Sequence, residues 1–311
     1  MSITILRTDD RWYVVRPTGV SPIVTAATTT ADLLADRAAI DAAADAAVEP
    51  LPDTPWQSPV TAPCRVVAQM TNYRSHVREA GMDPDRVPLT FFRKTSHSIT
   101  GPASDIVRPT HVRFLDYEVE IGLVMGADVP VGTRIDAATL PRYVAGLVVT
   151  NDVSARDLQL PKTQFFESKS YPTFTPVGPH LVLLDADDWE RFADLRLRTW
   201  VNGELRQDST VADMLFSPVE AFAALTGFQP LAAGDLLLTG TPGGTALKAP
   251  AKPVEIIGSL LPPALKWKAF FAAQAKNPHY LADGDVVELH VGTDDGVLDL
   301  GRQRTVVRPS S

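Results

Sequence analysis

Short runs of β-branched and other apolar residues, separated by Gly, Pro and Asp, are the feature that most constrains the fold of this 311-residue chain. Runs of this length bounded by turn residues are typical of β-strands. They read "CRVVAQM", "DYEVEIGLVMG", "YVAGLVVTND", "GPHLVLL", "LRLRTWVNG", "DLLLTG" and "DVVELHVG". Helical patterns are fewer, namely "RSHVREAG", "SPVEAFAALTG" and "PPALKWKAFFAAQAK". The pattern predicts an α+β, β-rich architecture rather than a regular βαβ repeat.

The first 65 residues differ in composition from the rest of the chain. They contain a strand-like start, "RWYVVRPTG", an Ala- and Asp-rich stretch of helical character, and a segment whose prolines disfavour regular structure. We therefore predict a small N-terminal domain and linker over residues 1–65 and a larger domain, carrying the candidate site, over residues 66–311.

Composition excludes several classes of function. Cys64 is the one cysteine, so neither an internal disulfide nor a Cys-based zinc site is expected. The formal charge of −8 and the lack of a basic block argue against nucleic acid as a partner. No apolar run approaches the roughly 20 residues needed to cross a bilayer, and the charged N-terminus does not resemble a signal peptide. We expect a cytoplasmic protein that does not bind membranes.

Three acids at alternate positions, Asp116, Glu118 and Glu120, lie within an apolar strand-like run. Successive side chains of a strand point to opposite faces, so these carboxylates share a face, about 6 to 7 Å apart. One interpretation is an edge strand whose acidic face is solvated. The other is a buried cation site, since burying unpaired carboxylates costs several kcal/mol of solvation.

A fourth acid, Asp152, ends the strand-like run "YVAGLVVTND". Aspartate at such a position is often only the N-cap of a following helix. It is also a candidate third ligand, because two Glu and one Asp with three open positions are the hard oxygen ligands that Mg²⁺ or Mn²⁺ prefers.

His76 and Glu79 are three residues apart in the helical segment "RSHVREAG". On one helix face the carboxylate can orient the imidazole and raise its basicity, although such a pair is also common on protein surfaces. Gly81 and two prolines follow, which predicts that the helix ends there and leads into a flap.

Two other nucleophile or phosphate motifs are not supported. The segment "GTPGG" lacks the Gly-Lys-Ser/Thr and the strand-turn-helix context of a phosphate-binding loop. The sequence also has no Gly-x-Ser-x-Gly elbow of a serine hydrolase.

From about residue 65 to its end, the chain resembles the fumarylacetoacetate hydrolase superfamily. The matching segments occur in the order typical of that family: "NYRSHVREAG", "FFRKTSHSITGP", "DYEVEIGLVMG", "NDVSARDLQ", "ESKSYPTFTPVGP", "VNGELRQDSTVADMLF", "LLLTGTPGG" and "GDVVELHVGTDDG". The resemblance implies a mixed β-roll, usually homodimeric, with Mg²⁺ or a similar ion (Mn²⁺ or Ca²⁺) and 2-keto or 2,4-diketo acid substrates.

The resemblance also assigns roles residue by residue. It implies metal ligands at Glu118, Glu120 and Asp152, and catalytic residues at His76, Glu79 and Lys169. Substrate contacts are implied for Tyr73, Arg156, Gln159 and Thr241. Asp116 matches no essential role and is expected to support its neighbours.

Family membership leaves the reaction open. We rank first the hydrolysis of a carbon–carbon bond in a 2,4-diketo acid, an acylpyruvate or fumarylacetoacetate-like compound, with His76 and Glu79 activating water. The alternative is a 2-keto-acid decarboxylase or isomerase that passes through the same enolate. A non-catalytic, metal-stabilised dimer is the third interpretation, which the intact set of candidate residues argues against.

An insertion at about residues 250–280 departs from the family pattern. Its second half reads as an amphipathic helix, with apolar residues at 265, 267, 270 and 271 and lysines between them. The helix either packs on the domain or dimer surface or covers the pocket and selects a bulkier, more hydrophobic substrate. Phe165 and Phe166, just before Lys169, are candidate pocket-lining residues.

Overall fold

The computed structural model describes residues 2–250 and 252–310. The strands are β1 (Ile3–Arg7), β2 (Trp12–Arg16), β3 (Gly19–Pro22), β4 (Val66–Gln69), β5 (Phe91–Lys94), β6 (Ile99–Thr100), β7 (Ile106–Arg108), β8 (Leu115–Asp116), β9 (Val119–Met125), β10 (Val144–Asn151), β11 (Ser154–Ala155), β12 (Thr175–Pro176), β13 (Leu181–Leu183), β14 (Arg196–Val201), β15 (Glu204–Thr210), β16 (Leu236–Leu238), β17 (Val286–Gly292) and β18 (Asp299–Pro309). The helices are α1 (Thr30–Ala35), α2 (Arg37–Ala44), α3 (Arg74–Glu79), α4 (Arg156–Lys162), α5 (Phe165–Ser168), α6 (Ala186–Glu190), α7 (Pro218–Thr226), α8 (Lys252–Ser259) and α9 (Pro263–Gln274). The predicted β-rich α+β class is confirmed.

Two large sheets carry the fold. A nine-stranded sheet has the order β3-β2-β1-β13-β10-β9-β16-β4-β5, and a five-stranded sheet has the order β15-β14-β17-β18-β7. Both are mixed, because β16 runs parallel to β4 and β18 runs parallel to β7 among otherwise antiparallel pairs. The main hydrophobic core includes Ile121 and Leu123 from the first sheet and Leu197 and Leu289 from the second, so the two sheets share one core.

The N-terminal strands continue the large sheet rather than forming a sheet of their own, because β1 pairs with β13. The Ala- and Asp-rich stretch forms two helices, α1 and α2, which meet at Asp36, whose carboxylate accepts the amide N–H of Ala39 and caps α2. Leu33 and Ile40 from these helices are fully buried in a second core, on the other face of the sheet. A division at residue 65 stays a prediction.

Four strand ends meet at one edge of the large sheet. β9 is antiparallel to both β10 and β16, and β16 is parallel to β4. The start of β9 therefore lies beside the ends of β10, β16 and β4, which brings residues around 69, 119, 151 and 239 together although they are far apart along the chain. This edge is where the predicted ligands fall.

The insertion forms α8 and α9, which confirms the predicted helix. None of the side chains of α9 is buried, and Leu265 is 54% exposed. Its apolar residues are covered unevenly, because Trp267, Phe270 and Phe271 are partly buried on one face of the helix while Leu265 is exposed. Within residues 2–250 and 252–310, every helix is too short or too polar to span a lipid bilayer.

Candidate active site

The predicted metal ligands converge at the sheet edge. Glu118, Glu120 and Asp152 are buried, and one carboxylate oxygen from each lies within 4.8 Å of the others. Two hydrogen bonds from backbone amides hold Glu118 next to Asp152: the Glu118 amide donates to Asn151 Oδ1 at 3.0 Å, and the Asp152 amide donates to the Glu118 carbonyl at 2.9 Å. The helix after β10 begins at Arg156 with Ala155 as its N-cap, so Asp152 is not a capping residue. The edge-strand interpretation of the acids is therefore wrong.

Buried cations neutralise part of this acidic cluster. The ammonium of Lys169 donates to Glu118 at 2.7 Å and to Asp152 at 2.5 Å. Lys94 donates to the other oxygen of Asp152 and, at 2.9 Å, to the carbonyl of Phe174. Against the opposing effect of burial, Lys169 and Arg156 hold the pKa of Glu118 below its usual range, so this carboxylate is ionised at neutral pH.

Glu120 lacks such a partner among the described residues. Its carboxylate accepts one hydrogen bond, from the Gly240 amide at 2.7 Å. Burial, and then the charges of Asp152 and Glu118, raise the pKa of Glu120 well above its usual range. A cation held between the three carboxylates would relieve this repulsion. The oxygen donors, their spacing and the unbalanced negative charge at Glu120 therefore fit a small divalent ion.

Asp116 organises the surroundings of the cluster, as expected. Its carboxylate accepts the Nε–H of Arg156 at 2.8 Å and the amides of Ala246 and Leu247 at 2.8 and 3.1 Å. Arg156 in turn donates to Glu118 at 2.5 Å and to Gln159 Oε1 at 2.8 Å. Asp116 thus fixes both the arginine and the loop after Gly244, while taking no part in the ligand triad.

His76 and Glu79 are not brought together as a hydrogen-bonded pair. Glu79 Oε2 accepts the Gly244 amide at 2.8 Å and pairs with Lys248 at 2.8 Å. His76 Nδ1 is buried and has no hydrogen-bond partner among the residues that the structure describes. The expectation that Glu79 orients His76 is corrected: the carboxylate is drawn to a distant lysine and a loop amide instead. His76 itself lines the cavity described below, and burial lowers its pKa.

The predicted substrate residues divide into two groups. Arg156, Gln159 and Thr241 line the cavity, and Thr241 Oγ1 accepts a hydrogen bond from Gln207 Nε2 at 2.8 Å. Tyr73 is fully buried in the core and is not among the lining residues, so its role stays a prediction.

A cavity of about 500 Å³ opens from the acidic cluster. Its polar wall includes Glu118, Glu120, Lys169, His76 and Gln69, and its apolar wall includes Met82, Phe92, Leu160, Phe165, Leu247, Trp267 and Phe270. Phe165 lies in this wall as expected, whereas Phe166 is 52% exposed and does not. The second helix of the insertion contributes Trp267 and Phe270, so it covers the cavity rather than an unrelated surface.

Three functional candidates escaped the sequence analysis. Lys94 lies in the family-like segment "FFRKTSHSITGP", which gave a signal, but its partner Asp152 is far along the chain. Gln207 shows only as one polar residue in an alternating strand. Gln69 is 2% exposed at the end of β4, and within residues 2–250 and 252–310 neither polar atom of its amide has a hydrogen-bond partner. The one sequence feature that could have pointed to Gln69 is a polar glutamine within an apolar run.

The fold and this acidic site define an enzyme family. Residues 65–308 match the model of the fumarylacetoacetate (FAA) hydrolase C-terminal family, and the chain belongs to this family.

The chain is similar to several proteins whose names state an activity. The chain is 38% identical over 194 residues to oxaloacetate tautomerase Fahd2a, mitochondrial, of Rattus norvegicus, covering 61% of this chain and 59% of that one. It is 38% identical over 193 residues to oxaloacetate tautomerase YisK of Bacillus subtilis, covering 60% and 62%. The match therefore spans about three fifths of the length of these relatives. A solved structure of a probable 2-hydroxyhepta-2,4-diene-1,7-dioate isomerase from Mycobacterium abscessus aligns over 100% of both chains, with a TM-score of 0.75 and 29% identity.

These comparisons correct the ranking of reactions. A carbon–carbon hydrolase ranked first on sequence alone, but the relatives are named as tautomerases and an isomerase. The hydrolase assignment rested on a His76–Glu79 pair to activate water, and the structure gives Glu79 other partners. The isomerase alternative fits both findings better.

Proposed function

We propose that this protein is a metal-dependent tautomerase of 2-oxo acids, which interconverts the enol and keto forms of oxaloacetate or a close analogue. The observation that carries the proposal is the buried triad Glu118, Glu120 and Asp152, joined by Lys169 and facing a cavity that His76 also lines. The names of the relatives from rat and Bacillus subtilis support the reaction type.

The triad would hold the divalent ion, with Mg²⁺ as the first candidate and Mn²⁺ or Ca²⁺ as others. When bound, such an ion polarises the 2-oxo and carboxylate oxygens of the substrate and lowers the energy of negative charge there. Glu118 is kept ionised by Lys169 and Arg156, which suits it to that task at neutral pH.

Lys169 stabilises charge that develops on the 2-oxygen of the substrate. An ammonium has three hydrogens, and the described contacts of Lys169 use two of them, on Glu118 and Asp152. The third is available to a ligand in the cavity. Placing a fixed positive charge where negative charge develops is usually among the largest contributions to catalysis.

His76 moves the proton at C3. Its imidazole lines the cavity, and burial lowers its pKa, so the ring is neutral at pH 7 and can accept a proton. In the enol-to-keto direction, the neutral His76 accepts the proton of the 2-hydroxyl and delivers it to C3 as the 2-oxo group forms, which leaves the ring neutral again. In the reverse direction His76 takes a proton from C3 and returns it to the 2-oxygen. No bond to water is formed, so the mechanism does not need Glu79 to orient the ring.

A dienoate isomerase is the second candidate. The Mycobacterium abscessus structure, which aligns over the whole chain, is named as a probable isomerase of 2-hydroxyhepta-2,4-diene-1,7-dioate. The same residues serve that reaction, because a 2-hydroxydiene also becomes a 2-oxo acid by proton transfer to carbon.

The test follows the enol absorbance of oxaloacetate in weak buffer, with metal-stripped protein and either Mg²⁺ or EDTA. We expect Mg²⁺-dependent acceleration of ketonisation, with no pyruvate formed on the same timescale by NMR. Equal rates with Mg²⁺ and EDTA would contradict the proposal. Pyruvate as the product would favour decarboxylation, and turnover of the dienedioate alone would favour the second candidate.

The protein is also proposed to act as a homodimer on small-molecule 2-oxo acids. The resemblance to the family supports the dimer. Light scattering during size-exclusion chromatography tests it, and a monomer mass at micromolar concentration would reject it.

A further inference from the structure

The wall of the cavity next to the acidic cluster is aromatic. The Lys169 ammonium lies 5.2 Å from the centre of the Phe92 ring, and Phe92 packs against Phe165 with ring centres 5.2 Å apart and planes tilted by 33°. Both rings line the cavity. A substrate whose carboxylate and 2-oxo group meet the acids and Lys169 therefore places its next carbon atoms beside these rings.

The far wall is aromatic as well, and the α8–α9 insertion supplies it. Trp267 and Phe270 line the cavity in an edge-to-face pair with ring centres 5.7 Å apart. Phe271, on the same helix, stacks on Phe114 with centres 5.2 Å apart and planes within 18°. Just after the helix in the chain, Asn277 donates to the Ala246 carbonyl at 2.8 Å. These contacts hold α9 over the cavity as a roof.

Two lysines, Lys248 and Lys266, reach the rim of the cavity. Lys248 pairs with Glu79, and the ammonium of Lys266 lies 5.3 Å from the centre of the Trp267 ring. On the apolar side of the cavity, a carboxylate therefore partly balances the charge of Lys248, and a ring face partly balances that of Lys266. The faces of aromatic rings carry partial negative charge and do not favour an anion.

The volume also exceeds the need of a four-carbon acid. A cavity of about 500 Å³ falls in the range of roughly 300 to 1,000 Å³ that holds drug-sized ligands. Oxaloacetate would occupy the acidic end and leave the aromatic space to water, which apolar walls bind poorly.

We infer that the preferred substrate is a 2-oxo acid that carries an aromatic ring on C3, with the ring held between the Phe92–Phe165 pair and the Trp267–Phe270 roof. The inference rests on the proposed function only in that it places the carboxylate and 2-oxo group at the acidic end. Tautomerisation of such an arylpyruvate balances as for oxaloacetate: the 2-hydroxyl proton leaves and C3 gains one.

A binding experiment tests the ring site without relying on turnover. Oxamate and N-phenyloxamate share the same chelating end, do not tautomerise and differ by one phenyl ring. We expect N-phenyloxamate to bind the Mg²⁺-loaded protein at least about tenfold more tightly by calorimetry, since burial of a ring of this size stabilises by more than the 1.4 kcal/mol of a tenfold change. Equal affinity for both ligands would overturn the inference.

Variants of the roof locate the effect. Trp267→Ala/Phe270→Ala removes both rings from a helix without buried side chains, so the domain is expected to fold. Leu265→Ala is the matched control, because Leu265 is an exposed apolar residue of the same helix outside the cavity lining. The preference for N-phenyloxamate should fall about tenfold in the double variant and stay unchanged in the control. An unchanged preference in the double variant would place the ring elsewhere and overturn the inference.

Turnover separates this inference from the proposed function. With both correct, the protein ketonises the enol of phenylpyruvate with a higher kcat/KM than that of oxaloacetate, and the double variant loses the difference through KM. Turnover of oxaloacetate alone, with no preference for N-phenyloxamate, leaves the tautomerase proposal standing and rejects the ring site. A preference for N-phenyloxamate without turnover of either enol rejects the tautomerase and supports the ring site.

Discussion

The acidic end of the cavity and its helical roof differ in how firmly the chain holds them. Glu118, Glu120 and Asp152 are at most 5% exposed and sit where paired strands of the large sheet end. The roof helix α9 buries no side chain and rests on ring contacts such as Phe271 on Phe114. The chemical groups are therefore fixed by the sheet, while the surface facing the substrate's tail is attached to it and can change without disturbing them.

The largest expected effect is at the acidic end. Glu120→Gln keeps the shape and the acceptor for the Gly240 amide but removes a ligand charge. Turnover should fall to the level of metal-stripped wild type. The metal-free variant should be at least as stable as metal-free wild type, because it no longer buries a carboxylate without a cation partner.

Thermal unfolding with and without Mg²⁺ checks both parts. Wild type should gain melting temperature on adding Mg²⁺ and Glu120→Gln should not, while in EDTA the variant should melt no lower than wild type. A variant that melts lower in EDTA would show that Glu120 has a stabilising partner in the metal-free protein.

The second-largest expected effect is on kcat, and it differs between variants of His76 and of Glu79. His76→Asn should lower kcat by about 10²- to 10⁴-fold, the usual contribution of a general acid or base, with Mg²⁺ affinity unchanged. Glu79→Gln is the matched comparison on the same helix and should change kcat by no more than about fivefold, because its contacts are to Gly244 and Lys248 and a partly exposed ion pair contributes at most about 1 kcal/mol. Equal losses in the two variants would restore the paired mechanism.

The acidic triad of Glu118, Glu120 and Asp152 has a local sequence signal, which left an edge strand and a helix N-cap open as alternatives until the family resemblance implied that the three acids are ligands. Alternate acids in an apolar run and an acid at a strand end are visible without knowing the fold, and a carboxylate in a core needs a cation. The family resemblance then supplied Lys169 and Arg156, which the structure places on Glu118.

The features that the sequence did not predict depend on contacts between segments that are far apart along the chain. The spacing of His76 and Glu79 indicated a pair. The Glu79 carboxylate instead binds Lys248 and the Gly244 amide, which are far along the chain. The roof helix was predicted, yet its position over the cavity depends on Phe114 and Phe271 meeting across the fold. Helical periodicity carries no information about that meeting.

A third, smaller effect concerns Gln69, at the polar side of the cavity. Its buried amide has no hydrogen-bond partner in the described part of the chain, and such a group costs about 1 to 3 kcal/mol. Gln69→Met, which nearly conserves volume, should therefore raise the free energy of unfolding by about 1 kcal/mol and raise KM if the amide meets the substrate. Urea denaturation and steady-state kinetics measure the two. A loss of stability would mean that the amide is satisfied within the protein.

The smallest effect tests how the roof is held. Phe271→Ala removes the stack on Phe114, worth about 0.5 to 1.5 kcal/mol beyond the area it buries. Because α9 buries no side chain, the melting temperature should barely change, whereas amide hydrogen exchange should speed up in α9 and remain slow in β9 and β10. The acidic end would then keep its Mg²⁺ affinity. Faster exchange in β9 as well would show that roof and sheet open together, and the distinction between a fixed chemical end and an attached roof would not hold.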